Sequence, residues 1–309
     1  MRRVLAIDGG QSAIRLRHSD TSDTVELEGV SRLEGDTLGA VVAAVAEGWR
    51  QSGAPATDRA VLGLTTAPTD GPSRRRLCEA VAGGVQTKQV WLADDAVTGH
   101  AGALSLDCGI SVIAGTGVAC LAAPREGTPV IVGGHGYLMG DEGGAFWVGS
   151  AGLRAVLKAI DGRGPSTALV APAERHFDGL DGLGDRIHSS QRPVDTIARF
   201  APDVLATAET GDAVASAITD AAANELASLV RAAADHIAPD DGPVLLAVGG
   251  RLLQTGPLRA RLERLIATAS PAVQMRSADG PPLAGALLLG AADHPGRYRD
   301  LVYAWESAA

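Results

Sequence analysis

Three features of the 309-residue sequence predict an α/β fold. Short apolar runs of strand length alternate with longer stretches whose apolar residues recur at helical spacing. Several of the short runs end in Gly, Thr or Asp, where strands of α/β proteins hand over to ligand-carrying loops. Three strand ends carry a glycine-rich turn of similar make, in VLAIDGGQS from Val4, SVIAGTGVA from Ser111 and VLLAVGGRL from Val244. Repeated strand-turn units of this kind suit two related domains facing a shared ligand.

The expected strands are Arg3–Asp8, Arg59–Leu64, Gln89–Ala93, Ser111–Ala114, Val118–Ala122, Pro129–Val132 and Val244–Val248. Helices are expected over Thr37–Arg50, Arg74–Ala82, Gly144–Ile160, Asp212–His236 and Gly256–Thr268, with a C-terminal one near Tyr298–Glu306. In Gly144–Ile160 the residues Phe146, Leu153, Val156, Leu157 and Ile160 fall on one stripe, which is read as the core face. The stretch Ser166–Gln191, rich in Gly, Pro, Ala, Asp and His, reads as an irregular insertion.

Composition narrows the function classes. Hydrophobic residues make up 46% and charged residues 20%, a globular balance. A formal charge of −9 argues against nucleic acid or an anionic membrane as partner. It leaves an anionic nucleotide open, because phosphate sites built from backbone N–H groups need little positive charge. Cys78, Cys108 and Cys120 are odd in number and lack CxxC spacing, which speaks against a disulfide framework or a zinc site. No signal peptide or membrane span is read in the sequence, and a cytoplasmic location is expected.

In Asp8-Gly9-Gly10-Gln11-Ser12 the glycines allow a tight turn and a close backbone approach to phosphate, with Ser12 adding a hydroxyl. Asp8, at the strand end, suits Mg²⁺ held through water. A plain hairpin with Asp-Gly at its turn reads equally well. Gly115-Thr116-Gly117 has the same ingredients, and Gly249-Gly250 offers bare backbone to a flat ligand such as adenine or simply turns the chain. Of Asp94 and Asp95, one can N-cap the following helix while the other accepts a proton in a cleft. Gly133–Gly144, with six glycines and the acids Asp141 and Glu142, is a long shaped loop feeding a helix N-terminus.

Taken in order, DGGQS, ADDA, AGTG, GGHGYLMGDEGGAFW, AVGGRL and PLAGALLLGA at 282–291 resemble the BadF/BadG/BcrA/BcrD ATPase family, in particular its N-acetylglucosamine kinase branch. The resemblance runs from about Val4 to Ala292. It implies a two-lobed actin-like, ribonuclease H-like ATPase fold with the nucleotide between lobes. The lobes would be residues 1–105 with 293–309, and 106–292. It implies ATP and Mg²⁺ as cofactors, a small-molecule sugar as substrate and a homodimer. By position Asp95 matches the catalytic base. Gly10, Gln11, Ser12, Gly115, Thr116 and Gly117 match the phosphate turns, Gly249 and Gly250 the adenosine site, and Ala208 a residue beside the nucleotide. Gly134, His135 and Asp141, with Asp95, match sugar contacts.

Four departures from the family pattern stand out, three of them at specificity contacts. Gln11 stands where the kinases usually carry a third glycine, and His135 stands in place of a tryptophan. The loop Gly29-Val30-Ser31-Arg32-Leu33 lacks the branch's asparagine, and GLTTAPTD at 63–70 lacks its serine and glycines. The expected activity is phosphorylation of N-acetylglucosamine at the 6-hydroxyl, with glucosamine or N-acetylmuramic acid as alternatives. The family's activator branch, which couples ATP hydrolysis to an iron–sulfur cluster, needs cysteines around the second turn and downstream. Here Cys120 follows that turn and no cysteine comes after it. A regulatory protein that keeps the fold without turnover is the third class weighed.

Overall fold

The structure, a computed structural model, describes residues 2–30, 36–65, 67–237, 242–270 and 272–307. Ser31, Arg32 and Leu33 of the asparagine-less loop, and Thr66 of GLTTAPTD, lie outside the described residues. The chain packs as two compact units. The first takes in residues 1–111, 121–130 and 278–309, and the second residues 112–120 and 131–277.

The first unit is built on strands β1 (Val4–Gly9), β2 (Ala13–His18), β3 (Val25–Glu28), β4 (Arg59–Leu64) and β5 (Gln89–Asp94), with a C-terminal strand, Tyr303–Glu306. Their order in the sheet is Tyr303–Glu306, β5, β4, β1, β2, β3. β1, β4 and β5 run parallel, with Asp8 beside Gly63 and Leu64 beside Asp94, so their carboxyl ends finish level. β2 and β3 fold back antiparallel from β1.

The run Val4–Ile7 and all of β4 are buried, as expected for strands covered on both faces. On one face Leu5, Ile7, Leu62 and Leu64 pack with Val41, Val45 and Trp49 of α1 (Thr37–Gln51) and Leu77 and Val81 of α2 (Gly71–Gly84). Asp36 and Asp70 begin these helices by accepting the backbone N–H of Gly39 and Ser73. On the other face, Val4 and Val61 meet the C-terminal helix Pro282–Ala291, where a Cβ on Gly290 would stand 2.4 Å from Val4 Cγ1. That helix falls inside the stretch 106–292 and packs in the first unit.

The second unit carries most of a five-stranded sheet of order Val273–Ser277, Val244–Gly249, β6 (Gly109–Ala114), β7 (Val118–Ala123), β8 (Val130–Ile131). The first two are β10 and β9 and pair in parallel. Helices α4 (Ala145–Ile160), α5 (Val170–His176), α6 (Leu183–His188), α7 (Pro193–Ala198), α8 (Ala201–Glu209), α9 (Ala213–Ala234) and α10 (Pro257–Ala269) complete it. The helix Pro282–Ala291 is α11, and the strand Tyr303–Glu306 is β11.

The sequence reading needs three corrections. The C-terminal helix expected at Tyr298–Glu306 is instead a 3₁₀ turn at Gly296–Tyr298 followed by β11, antiparallel to β5. Tyr303 and Trp305 are half-buried while Ala304 and Glu306 are exposed, the two-residue alternation of an edge strand. Ser166–Gln191 contains α5 and α6, so it is not irregular. Finally, Leu157 and Ile160 of α4 are exposed, and the buried stripe is Val148, Gly149, Gly152, Leu153 and Val156. Glycines make that stripe: a Cβ on Gly149 would stand 2.2 Å from Ile197 O, and one on Gly152 2.4 Å from Val204 Cγ2. Apolar periodicity cannot register a face whose contacts are backbone.

Candidate active site

The level carboxyl ends of β1, β4 and β5 bring together one group of functional side chains in the first unit. β1 ends in Asp8-Gly9, β4 runs into Thr65, and β5 ends at Asp94 with Asp95 next. Parallel strands place ligand-handling groups at this end. Of the two roles weighed for Asp94 and Asp95, the capping one falls to Asp94. The Asp94 carboxylate accepts the Ala96 N–H at 2.9 Å and begins α3 (Asp95–Ala103). Asp95 turns away from capping: its Oδ2 accepts the Thr65 hydroxyl at 2.6 Å.

α3 is seated by small residues. A Cβ on Gly63 of β4 would stand 2.1 Å from Thr98 Oγ1, and one on Gly285 of α11 would stand 1.9 Å from Thr98 O and 2.4 Å from Gly102 N. Farther along α3, His100 is buried between Tyr298 and Gly109. Its Nδ1 lies 2.8 Å from the Tyr298 hydroxyl and its Nε2 3.1 Å from Gly109 O. The carbonyl can only accept, so Nε2 carries the proton and Nδ1 accepts from Tyr298. Burial holds the His100 pKa down to about 4 and pushes that of Tyr298 well above the ordinary tyrosine range.

The first glycine turn is a hairpin in which Gly10 N donates to Ala13 O at 2.9 Å. The hairpin reading is therefore correct as geometry, and it leaves a phosphate role open. Gly29 is pressed against the back of this turn, since a Cβ there would stand 2.5 Å from Gln11 O. Gln11 and Ser12 lie on its outer bend, partly exposed. Burial first, then the negative charge of Asp95, raise the Asp8 pKa to about 6, while Arg15, 3.8 Å away, works in the opposite sense. Two half-buried carboxylates in mutual repulsion make a donor set that a hydrated divalent cation would relieve, and Asp8 fits Mg²⁺ held through water. Sequence reasoning passed over Thr65 and Arg15. Thr65 follows the β4 apolar run directly, the kind of strand end already singled out; Arg15 is fixed only by its register opposite Asp8.

A second group gathers within the second unit. Gly115–Gly117 joins β6 to β7, with Gly115 N donating to Gly117 O at 2.9 Å. The turn's carbonyls are taken up by α4: Ala145 N donates to Gly115 O and Phe146 N to Thr116 O. Gly250 has φ +85°, and a Cβ there would stand 2.1 Å from Ala114 O, so Gly249-Gly250 and Gly115–Gly117 abut. Asp141, left-handed at φ 59°, directs its carboxylate to the same turn, with Oδ2 2.3 Å from where a Gly117 Cβ would be. The structure thus brings Gly115, Thr116, Gly117, Gly249, Gly250 and Asp141 together. Gly134 and His135 are exposed on the loop before them, where His135 packs against Gly140. Ala208 is buried in α8, its carbonyl accepting from Gly211 N. Beside the loop opens a cleft of about 360 Å³, walled by Tyr137, Met139, Glu142, Trp147 and Arg154 among others, large enough for a small ligand.

Cys120 is buried within β7, and burial pushes its thiol up to about 12, a poor setting for the thiolate that an iron–sulfur ligand must be.

Known proteins match this architecture. The chain is 28% identical over 264 residues to an N-acetylmuramic acid/N-acetylglucosamine kinase of Clostridium acetobutylicum, which covers 82% of this chain and 86% of the relative. A solved candidate N-acetylglucosamine kinase from Chromobacterium violaceum superposes with a TM-score of 0.68 at 24% identity, covering 94% of this chain and 99% of its own. A ROK family glucokinase from Streptomyces griseus, solved with glucose and AMPPNP, superposes with a TM-score of 0.58 at 18% identity, over 94% and 98% of the two chains. These likenesses identify the fold as the actin-like sugar-kinase one. The model of the BadF/BadG/BcrA/BcrD ATPase family matches residues 7–290, and the chain belongs to that family.

Proposed function

We propose that this protein is an ATP-dependent kinase that phosphorylates an amino sugar, with N-acetylglucosamine at its 6-hydroxyl as the first candidate. The observation that carries the reading is Asp95: freed from capping by Asp94, it stands at the carboxyl end of the sheet near Asp8 with one oxygen already fixed by Thr65. The family and the sugar kinases it resembles supply the reaction class.

In the reaction, the sugar hydroxyl oxygen bonds to the γ-phosphorus as the bond from that phosphorus to the bridging oxygen breaks, and ADP leaves with the electron pair. Asp95 takes the hydroxyl proton as the new bond forms. Gly10, Gln11, Ser12, Gly115, Thr116 and Gly117 would offer backbone N–H and hydroxyl donors to phosphate oxygens. Asp8 would hold Mg²⁺ through water, and the bound ion supplies charge neutralisation on the phosphate oxygens. Gly249 and Gly250 would face the adenosine, with Ala208 beside the nucleotide. Gly134, His135 and Asp141 would contact the sugar.

The Clostridium acetobutylicum relative carries N-acetylmuramic acid in its name, and His135 in place of a tryptophan alters the loop that would meet the sugar ring. N-acetylmuramic acid and glucosamine therefore belong in the substrate panel. We place the enzyme in the cytoplasm as a homodimer; sedimentation of the purified chain tests the second point. ADP release from ATP and Mg²⁺ with each sugar decides the activity, and Asp95→Asn is expected to abolish it while ATP still binds. Unchanged turnover in that variant, or no ADP release with any amino sugar, would sink the reading.

A further inference from the structure

We infer that Thr65 is a positioning residue that fixes which oxygen of Asp95 receives the proton and ties that oxygen's place to the first glycine turn. The inference rests on the reading of Asp95 as the base. Thr65 is the first residue after β4, and it touches both halves of the first-unit site. Its hydroxyl donates to Asp95 Oδ2 at 2.6 Å, a short bond of the kind formed to an ionised carboxylate. Its backbone N–H donates to Gly9 O at 3.0 Å. A Cβ on Gly10 would stand 3.7 Å from its Oγ1, so the hydroxyl lies directly beneath the bend of the Gly9–Ser12 turn. One residue thus links the turn proposed to hold phosphate to the carboxylate proposed to accept the proton.

A free aspartate rotates about two side-chain bonds, and either oxygen could meet the sugar hydroxyl. With Oδ2 bound to Thr65, Oδ1 is the oxygen left to take the proton. The carboxylate plane is then set relative to the Gly9–Gly10 backbone before substrate arrives. Positioning of this kind acts on the chemical step, since a misplaced base costs rate without weakening nucleotide binding. The hydroxyl also gives the Asp95 charge a neutral donor where a second carboxylate, Asp8, stands close by. A cationic partner in that place would compete for the proton-accepting charge; a hydroxyl does not.

The test is steady-state kinetics of Thr65→Val, Thr65→Ser and Asp95→Asn beside the wild type, with sugar and ATP varied separately. Thr65→Val keeps the β-branched shape and removes the donor. Its kcat is expected to fall on the order of 10- to 100-fold, with KM for ATP and the thermal midpoint within error of wild type. Thr65→Ser, which keeps the hydroxyl, is expected to restore most of kcat. Wild-type kcat in Thr65→Val, or equal losses in the Val and Ser variants, overturns the inference. Should Thr65→Val fold poorly, Thr65→Ala removes the hydroxyl without added bulk, and the same split between kcat and KM decides. Asp95→Asn separates this inference from the reading beneath it. If that variant turns over, the base assignment itself falls. If it is dead while Thr65→Val is fully active, only the role of Thr65 falls.

Discussion

His100 makes the first unit acid-sensitive, and the size of the effect follows from its surroundings. The imidazole is buried, with Nε2 given to Gly109 O and Nδ1 accepting from Tyr298, so adding a proton destroys one hydrogen bond and buries a charge. Its pKa lies near 4 in the folded chain against an ordinary 6.5. Because the folded value is depressed, the unfolded chain binds more protons between these limits. Stability is therefore full above pH 6.5 and is lost as the pH falls toward 4. A gap of that size corresponds to about 3 kcal/mol when fully expressed, of which about 2 kcal/mol is lost between pH 7 and pH 5. His100→Gln cannot titrate and retains an amide that can reach the Gly109 carbonyl. Urea unfolding followed by tryptophan fluorescence reports chiefly on the first unit, which holds Trp49, Trp91 and Trp305. The variant is expected to be less stable than wild type at pH 7 by about 1 kcal/mol. Its loss on going from pH 7 to 5 should be smaller than the wild-type loss by about 2 kcal/mol, other carboxylates contributing equally to both. Parallel stability curves for the two proteins would refute this account of His100.

Two backbone seats give further expectations. Gly285→Ala places a methyl 1.9 Å from Thr98 O, which must push α3 from α11; a loss of about 1–3 kcal/mol in urea unfolding is expected, with kcat lowered through displacement of Asp95. A variant as stable and active as wild type would show that α3 shifts freely. Gly250→Ala combines a left-handed φ of +85° with a Cβ 2.1 Å from Ala114 O, so it should weaken ATP binding in a fluorescence titration more than it weakens sugar binding. Equal ATP affinity in that variant would detach Gly249-Gly250 from the nucleotide. Asp95→Asn should leave ATP affinity unchanged while turnover disappears, and ADP release measures that directly.

What could be read from the sequence was what announces itself locally. β1, β4, β5 and β9 are apolar runs bounded by Gly, Thr or Asp, and they stand where expected, give or take one residue. The acids Asp94 and Asp95 were legible as a pair with two jobs, and their side chains divide as a capping residue and a Thr65-bound carboxylate. What escaped depends on partners distant in the chain. β2 mixes Arg15 and Arg17 with Ile14 and Leu16, and becomes a strand because β1 supplies its ladder and α1 covers its apolar side. β11 carries only four residues, and its two aromatic rings gain burial only against β5 and the core beside it. Thr65 looked like one polar residue among several in GLTTAPTD; its meaning comes from parallel register, which sets Leu64 level with Gly9 and Asp94 and so brings Thr65, one residue on, beside Asp95 with its N–H on Gly9 O.

The position of Asp95 is therefore overdetermined by contacts that have no chemistry of their own. Asp94 fixes where α3 begins, and the absent side chains of Gly63 and Gly285 fix how close it lies to β4 and α11. His100 anchors the other end of the helix to Tyr298 and Gly109, and Thr65 orients the carboxylate itself. Each of these restraints acts on a different degree of freedom: helix start, helix depth, helix far end and carboxylate rotation. A carboxylate near a second, half-buried one would otherwise relax away from it, since like charges at short range cost free energy that solvent or movement can relieve. Holding Asp95 near Asp8 against that repulsion is the work of a rigid seat, and under the role proposed for Asp95 the stability spent there would be preorganisation of the proton-accepting oxygen.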